Sequence, residues 1–153
     1  MPDASLLTDD VRALIGTETE LGTATVTQRL VARAVETYTG RRAPVYAQGE
    51  AVPGYVLAAL DADDDPAPMP SLLPQSILIS NEWQFERPLR MDETLTLVYR
   101  LANIAERFGG KFGYSLDFRT ECDFRDADGT LVARSVQSMM QYDASQARDG
   151  GEP

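Results

Sequence analysis

Residues 114–125 read YSLDFRTECDFR, and the fold is decided there. Tyr114, Leu116, Phe118, Thr120, Cys122 and Phe124 alternate with Ser115, Asp117, Arg119, Glu121, Asp123 and Arg125. A period of two sends the first set to one face of a strand and the second to the other. The segment is therefore a half-buried strand whose outward carboxylates and guanidiniums are placed for cross-strand pairing. Asp128-Gly129 then turns the chain into a last strand over 131–142. Upstream, Leu95, Leu97, Tyr99 and Leu101 alternate with Thr, Val and Arg. Over 77–87, Ile77, Ile79, Trp83 and Phe85 share one face, with Asn81 the polar exception at an inward position. Gly109-Gly110-Lys111 reads as a hairpin turn between two of these strands.

The first half has a different period. Thr8 caps a short helix, Asp9 and Asp10 suit its positive end, and Gly16 stops it. Residues 20–26 form a first strand. Thr27 caps a second helix whose Leu30, Val31, Ala34, Val35 and Tyr38 share a face, and Gly40 ends it. A loop over 41–52 leads into GYVLAAL, residues 54–60, which has no polar side; its alanines favour a buried helix. Residues 61–74 hold four Asp and four Pro, so they form a solvated loop rather than packed structure. Helices first and then four long antiparallel strands make an α+β protein. We expect a curved antiparallel sheet of about five strands wrapped around a central helix at 54–60, the hot-dog arrangement. One domain over 1–145 is expected, with an acidic, Pro-rich loop at 61–75 and a frayed tail at 146–153.

Composition removes whole classes of chemistry. The 153 residues include no histidine, which excludes Ser-His-Asp and Cys-His catalysis, an imidazole base and His-ligated metals. Cys122 is the lone cysteine, so there is neither an internal disulfide nor a zinc site of ordinary make-up; no metal and no cofactor are expected. A net charge of −10 argues against nucleic acid, which needs a basic face. Among the cations only Lys111 is not arginine, and arginine grips phosphate or carboxylate with two hydrogen bonds at once. No apolar run is long enough to span a bilayer, and MPDASLLTDD at the N-terminus has neither the basic region nor the apolar core of a secretion signal. A cytoplasmic protein is the expectation.

EWQFERPLRMDETLTLVYRL, residues 82–101, resembles the strand, Arg-Pro, turn and strand of MaoC-like dehydratases. Where that family's turn usually reads Gly-Asp-Thr-Leu, this chain has Met91, Asp92, Glu93, Thr94 and Leu95. FRDADGTLVARSV, residues 124–136, is similar to the family's last hairpin. With 23–60 the resemblance covers most of the chain, and is to the N-terminal type of domain, usually paired with a catalytic half. The resemblance to (R)-specific enoyl-CoA hydratases implies a Ser-Gly-Asp-x-Asn-Pro-x-His motif after the long helix, whose Asp and His activate water. Here the stretch is Thr39, Gly40, Arg41, Arg42, Ala43, Pro44, Val45, Tyr46. Gly40 and Pro44 keep the frame, but Arg41 stands for the Asp, Ala43 for the Asn and Tyr46 for the His. Pro53-Gly54-Tyr55-Val56-Leu57 resembles the family's His-Gly opening of the central helix, where backbone N–H groups bind a thioester carbonyl. In the related β-hydroxyacyl-ACP dehydratases a Glu on that helix serves; its place falls on Ala59.

The resemblance thus implies an acyl-thioester-binding hot-dog subunit of a heteromeric enoyl-CoA hydratase or 3-hydroxyacyl dehydratase. It would shape the acyl pocket while a second hot-dog subunit supplies the Asp and His. Its ligand would be an acyl-CoA or acyl-ACP; fatty, polyketide and steroid side-chain acyl groups all remain open. Gly54, Tyr55 and Asn81 are candidate substrate contacts. Arg41 and Arg42 either bind the phosphates of the thioester's carrier or pair with Glu36 or Glu50. Tyr46 either donates a hydrogen bond in place of the His or packs as an ordinary tyrosine. Two alternatives stand beside this: a homodimeric acyl-CoA thioesterase using Glu36 or Glu50, and a non-catalytic binder of acyl or other hydrophobic ligands.

Overall fold

The computed structural model of the chain describes residues 4–61 and 69–148. Strands β1 (Glu18–Thr25), β2 (Gln75–Phe85), β3 (Thr94–Phe108), β4 (Tyr114–Arg125) and β5 (Leu131–Tyr142) form one sheet in the order β1-β3-β4-β5-β2, each pair antiparallel. The alternation in β4 sets the layers. Leu97 lies opposite Phe124 and Ile104 opposite Phe118, while Phe124 lies opposite Ala133. Directly opposed residues share a face, so these buried side chains make the inner surface of the sheet.

Helix α1 (Asp9–Ala13) and the longer α2 (Gln28–Thr39) complete the main elements. Thr27 Oγ1 accepts from the Leu30 N–H (3.2 Å) to start α2. Gly40, at φ 67°, ends it by donating to Glu36 O. Val31, Ala34 and Val35 of α2 bury themselves against Leu95, Leu97 and Phe124 of the sheet. The central α-helix expected over 54–60 is instead a six-residue 3-10 helix, Gly54–Ala59, packed beside α2 with Val56 and Leu57 buried. So short a segment gains too few i→i−4 bonds to repay α-helix nucleation, and a tighter i→i−3 turn results. A second apolar cluster lies further along the sheet. There Leu101, Ile104, Tyr114, Leu116 and Phe118 are covered by Leu7, with Val11, Ile15, Leu72 and Leu73 around them.

Two further expectations need correction. Residues 62–68 of the acidic loop lie outside the described residues, but 69–73 are not solvated as expected. Met69, Leu72 and Leu73 pack on the second cluster, and Gln141 fastens them by accepting from the Leu72 and Leu73 amides and donating to Pro70 O. In β2, Asn81, Trp83 and Phe85 face Gln137, Ser135 and Ala133, but a bulge between Leu78 and Ser80 puts Leu78 opposite Met139 and Ile77 opposite Met140. The extra residue slips the phase by one. Leu78 therefore shares the inner face with Asn81, Trp83 and Phe85, and Ile77 points the other way. At the C-terminus Ala144–Gln146 forms one more 3-10 turn, and 149–153 of the expected tail lie outside the described residues.

The outer face carries the charge that the alternation placed there. Asp123 is only 2% exposed and accepts from Arg134 Nε (2.6 Å), Arg100 Nη1 (3.0 Å) and Arg125 Nη2 (3.0 Å). Arg100 also pairs with Glu121. Burial alone would raise the Asp123 carboxyl, but the hydrogen bonds from Arg134, Arg100 and Arg125 hold it well below the ordinary carboxylate range. No helix among the described residues is long and apolar enough to cross a membrane.

Candidate functional site

The loop over 41–52 is stitched to the turn that carries the Arg-Pro signature. Gly49 N donates to Met91 O (3.0 Å), Met91 N to Glu50 O (2.8 Å) and Val52 N to Leu89 O (2.9 Å). Glu93 organises that turn: it receives two hydrogen bonds from Arg87 (3.2 and 2.7 Å) and one from the Arg90 N–H (2.7 Å). Asp92 sits at φ 64°, where the left-handed region is costly for any residue with a side chain and least so for Asp or Asn. The sequence signature is thus a clamp for the loop, not a set of reacting groups.

Within the loop, Arg41 and Arg42 are exposed, and neither forms a salt bridge with Glu36 or Glu50. Ala43 and Tyr46 are half-buried against the main core. Burial, then the neighbouring Tyr55 and Glu50, raises the Tyr46 hydroxyl above its ordinary value. Tyr46 therefore stays protonated at neutral pH and cannot serve as a base. Glu50 accepts from the Ala47 N–H (2.7 Å), closing its own turn.

Pro53 brings the chain to the 3-10 helix with no side-chain cap. The Gly54 and Tyr55 amides at its start have no backbone partner among the described residues. A Cβ on Gly54 would stand 3.1 Å from Cζ of Phe85, so the glycine is what lets this turn approach β2. Tyr55 stacks on Tyr38 of α2, with ring centroids 4.8 Å apart.

Asn81 lies four residues from Phe85 along β2, about 13 Å at ~3.3 Å per residue. It is on the inner face yet exposed, and its Oδ1 accepts from Ser135 Oγ (3.1 Å). Across the sheet it continues into Gln137 and Thr120, a polar row on an otherwise apolar face. The neighbouring row contains Tyr99, whose buried hydroxyl has no hydrogen-bond partner among the described residues. It also contains Cys122, whose thiol is pushed up to about 11 by burial and by Asp123, and is therefore inert. Alternation alone marked Tyr99 as one more inward strand residue, with nothing to show that its oxygen lacked a partner. The structure thus brings Gly54, Tyr55 and the inner side of β2 towards one another. Arg41 and Arg42 remain outside that group.

No protein-family model and no curated protein matches the sequence. Solved structures do match. One is the ChsH1-ChsH2 complex of Mycobacterium tuberculosis (TM-score 0.63, 13% identity, covering 89% of this chain and 86% of that one). Another is a MaoC-like dehydratase of Rhodospirillum rubrum (TM-score 0.57, 16% identity, 88% and 94%). A third is the R-hydratase PhaJ1 of Pseudomonas aeruginosa (TM-score 0.50, 16% identity, 84% and 82%). At these identities the likeness is one of fold: the chain is a hot-dog protein. Its sheet and helices are arranged as in MaoC-like dehydratases and hydratases.

Proposed function

We propose that the chain is the acyl-pocket subunit of a two-chain hydro-lyase acting on acyl thioesters, in which a second hot-dog chain supplies the acid and base. The observation that carries this is a hot-dog frame whose motif positions hold neither the Asp nor the His that the resemblance calls for. The chain has no histidine, and Arg41, Ala43 and Tyr46 stand where the resemblance calls for Asp, Asn and His. The free amides of Gly54 and Tyr55 support a role in meeting a thioester carbonyl. Leu78 and Asn81, turned inward but exposed, support a role in lining the acyl group.

The partner's place is supported by β2. It is an edge of the sheet, and Ile77 and Ile79 are 47% and 60% exposed on it. An unpaired apolar edge is a template for another strand. A fold neighbour that is itself a complex of two named components fits the same reading. A carboxylate thioesterase has less support, since Glu50 is committed to its own turn and Glu36 is exposed on α2.

The test is hydration of an enoyl-CoA by the purified chain, alone and mixed with a MaoC-like chain that carries the Asp and His. No turnover alone and turnover in the co-purified complex are expected. Full hydratase activity of the lone chain would overturn the assignment.

A further inference from the structure

A groove of about 480 Å³ runs between α2 and the 3-10 helix, on a surface that the preceding reading does not use. That is within the usual size range of small-ligand sites, roughly 300–1,000 Å³. Ala34, Ala58 and Ala59 keep part of its lining small and apolar. Arg29 and Arg33 line it as well, one helical turn apart. Neither forms a salt bridge among the described residues. Like charges at this spacing repel each other on a helix. Arg41 and Arg42 are likewise without salt bridges among the described residues, but Arg29 and Arg33 differ from them in lining a groove. Asp61 is the one carboxylate among the described residues that line it. At the other end of α2 the groove meets Tyr38, a residue 54% exposed whose ring stacks on Tyr55. From Tyr38 to Arg29 is about 13 Å along the helix at ~1.5 Å per residue.

We infer that this groove binds a phosphorylated adenine nucleotide, the nucleotide arm of a CoA thioester. The geometry joins a planar platform at Tyr38, an apolar floor and two guanidinium forks suited to phosphate oxygens. The thioester end would enter beside Tyr55, next to Gly54. The inference rests on the acyl-thioester reading for that orientation, and it assigns the phosphate grip to Arg29 and Arg33 rather than to Arg41 and Arg42, which do not line the groove.

Calorimetric titration of the full chain with adenosine 3′,5′-bisphosphate, and separately with an acyl-pantetheine lacking phosphate, tests both ideas independently. Saturable nucleotide binding is expected. The Arg29→Gln/Arg33→Gln variant should weaken it by about tenfold or more, the scale of losing hydrogen bonds from charged groups. Its melting temperature should stay unchanged, and Arg41→Gln/Arg42→Gln should bind as the parent does. Absence of nucleotide binding, or full affinity in the Arg29/Arg33 variant, overturns the inference. If acyl-pantetheine binds while the nucleotide does not, the groove assignment falls and the thioester reading stands. Nucleotide binding that depends on Arg29 and Arg33, without acyl-pantetheine binding, supports the groove and counts against the thioester reading.

Discussion

Asp123 shows how much a single outward residue can carry. It is buried by the three arginines that reach it from β3, β4 and β5, so removing its charge leaves those guanidiniums facing one another. Asp123→Asn is expected to cost about 3–5 kcal/mol at pH 7, the range for breaking a buried ion pair. The pH dependence has a definite sign. The folded carboxyl titrates below its unfolded value near ~3.9, so its contribution is complete above that value and is lost as pH falls through the folded one. Urea unfolding of both proteins at pH 7 and at pH 3 should therefore show the gap narrowing in acid; a constant gap would contradict this account. Alternation in the sequence correctly sent Asp123 outward. What it could not give was the register of β3 and β5, which decides that Arg100 and Arg134 close over it. Tyr99 is the inward counterpart: its position was legible, but its unpartnered oxygen was not.

At the scale of the element, β2 was legible as a strand and misread in phase. Composition carries no mark of one inserted residue, and Ile77 and Ile79 match the alternation of Trp83 and Phe85 as if no bulge intervened. Asn81, the polar exception, keeps the inward position that its place in the alternation gave it. The 54–60 segment failed for a related reason, since seven apolar residues are too few to tell a 3-10 turn from an α-helix by period. The proposed use of the β2 edge can be checked directly. Ile77→Lys/Ile79→Lys places charge on side chains already exposed, so the chain's own stability should change by no more than about 0.5 kcal/mol. Association with the partner chain should be lost in sedimentation velocity. Undiminished association would show that the partner docks elsewhere.

For the molecule as a whole, the lack of histidine is a statement about pH. No side chain here has an unperturbed pKa between 5 and 8, and Cys122 is displaced upward, away from that window. The melting temperature of the lone chain should be nearly flat from pH 6 to pH 8. A pH–rate profile of the active complex that bends in the same window would then report groups on the other chain. Such a bend in the stability of the lone chain would contradict this. The fold was readable because strand alternation and helix caps are local. The site was not, because the unpartnered amides of Gly54 and Tyr55 and the inserted residue in β2 leave no mark in residue type. The bulge at Ile79 has a consequence on this scale. One strand serves two audiences: Trp83 and Phe85 answer to the protein's own interior, while Ile77 answers to whatever lies alongside. With the two separated by a single kink, a change of side chain at Ile77 leaves the inward set of Trp83 and Phe85 as it was.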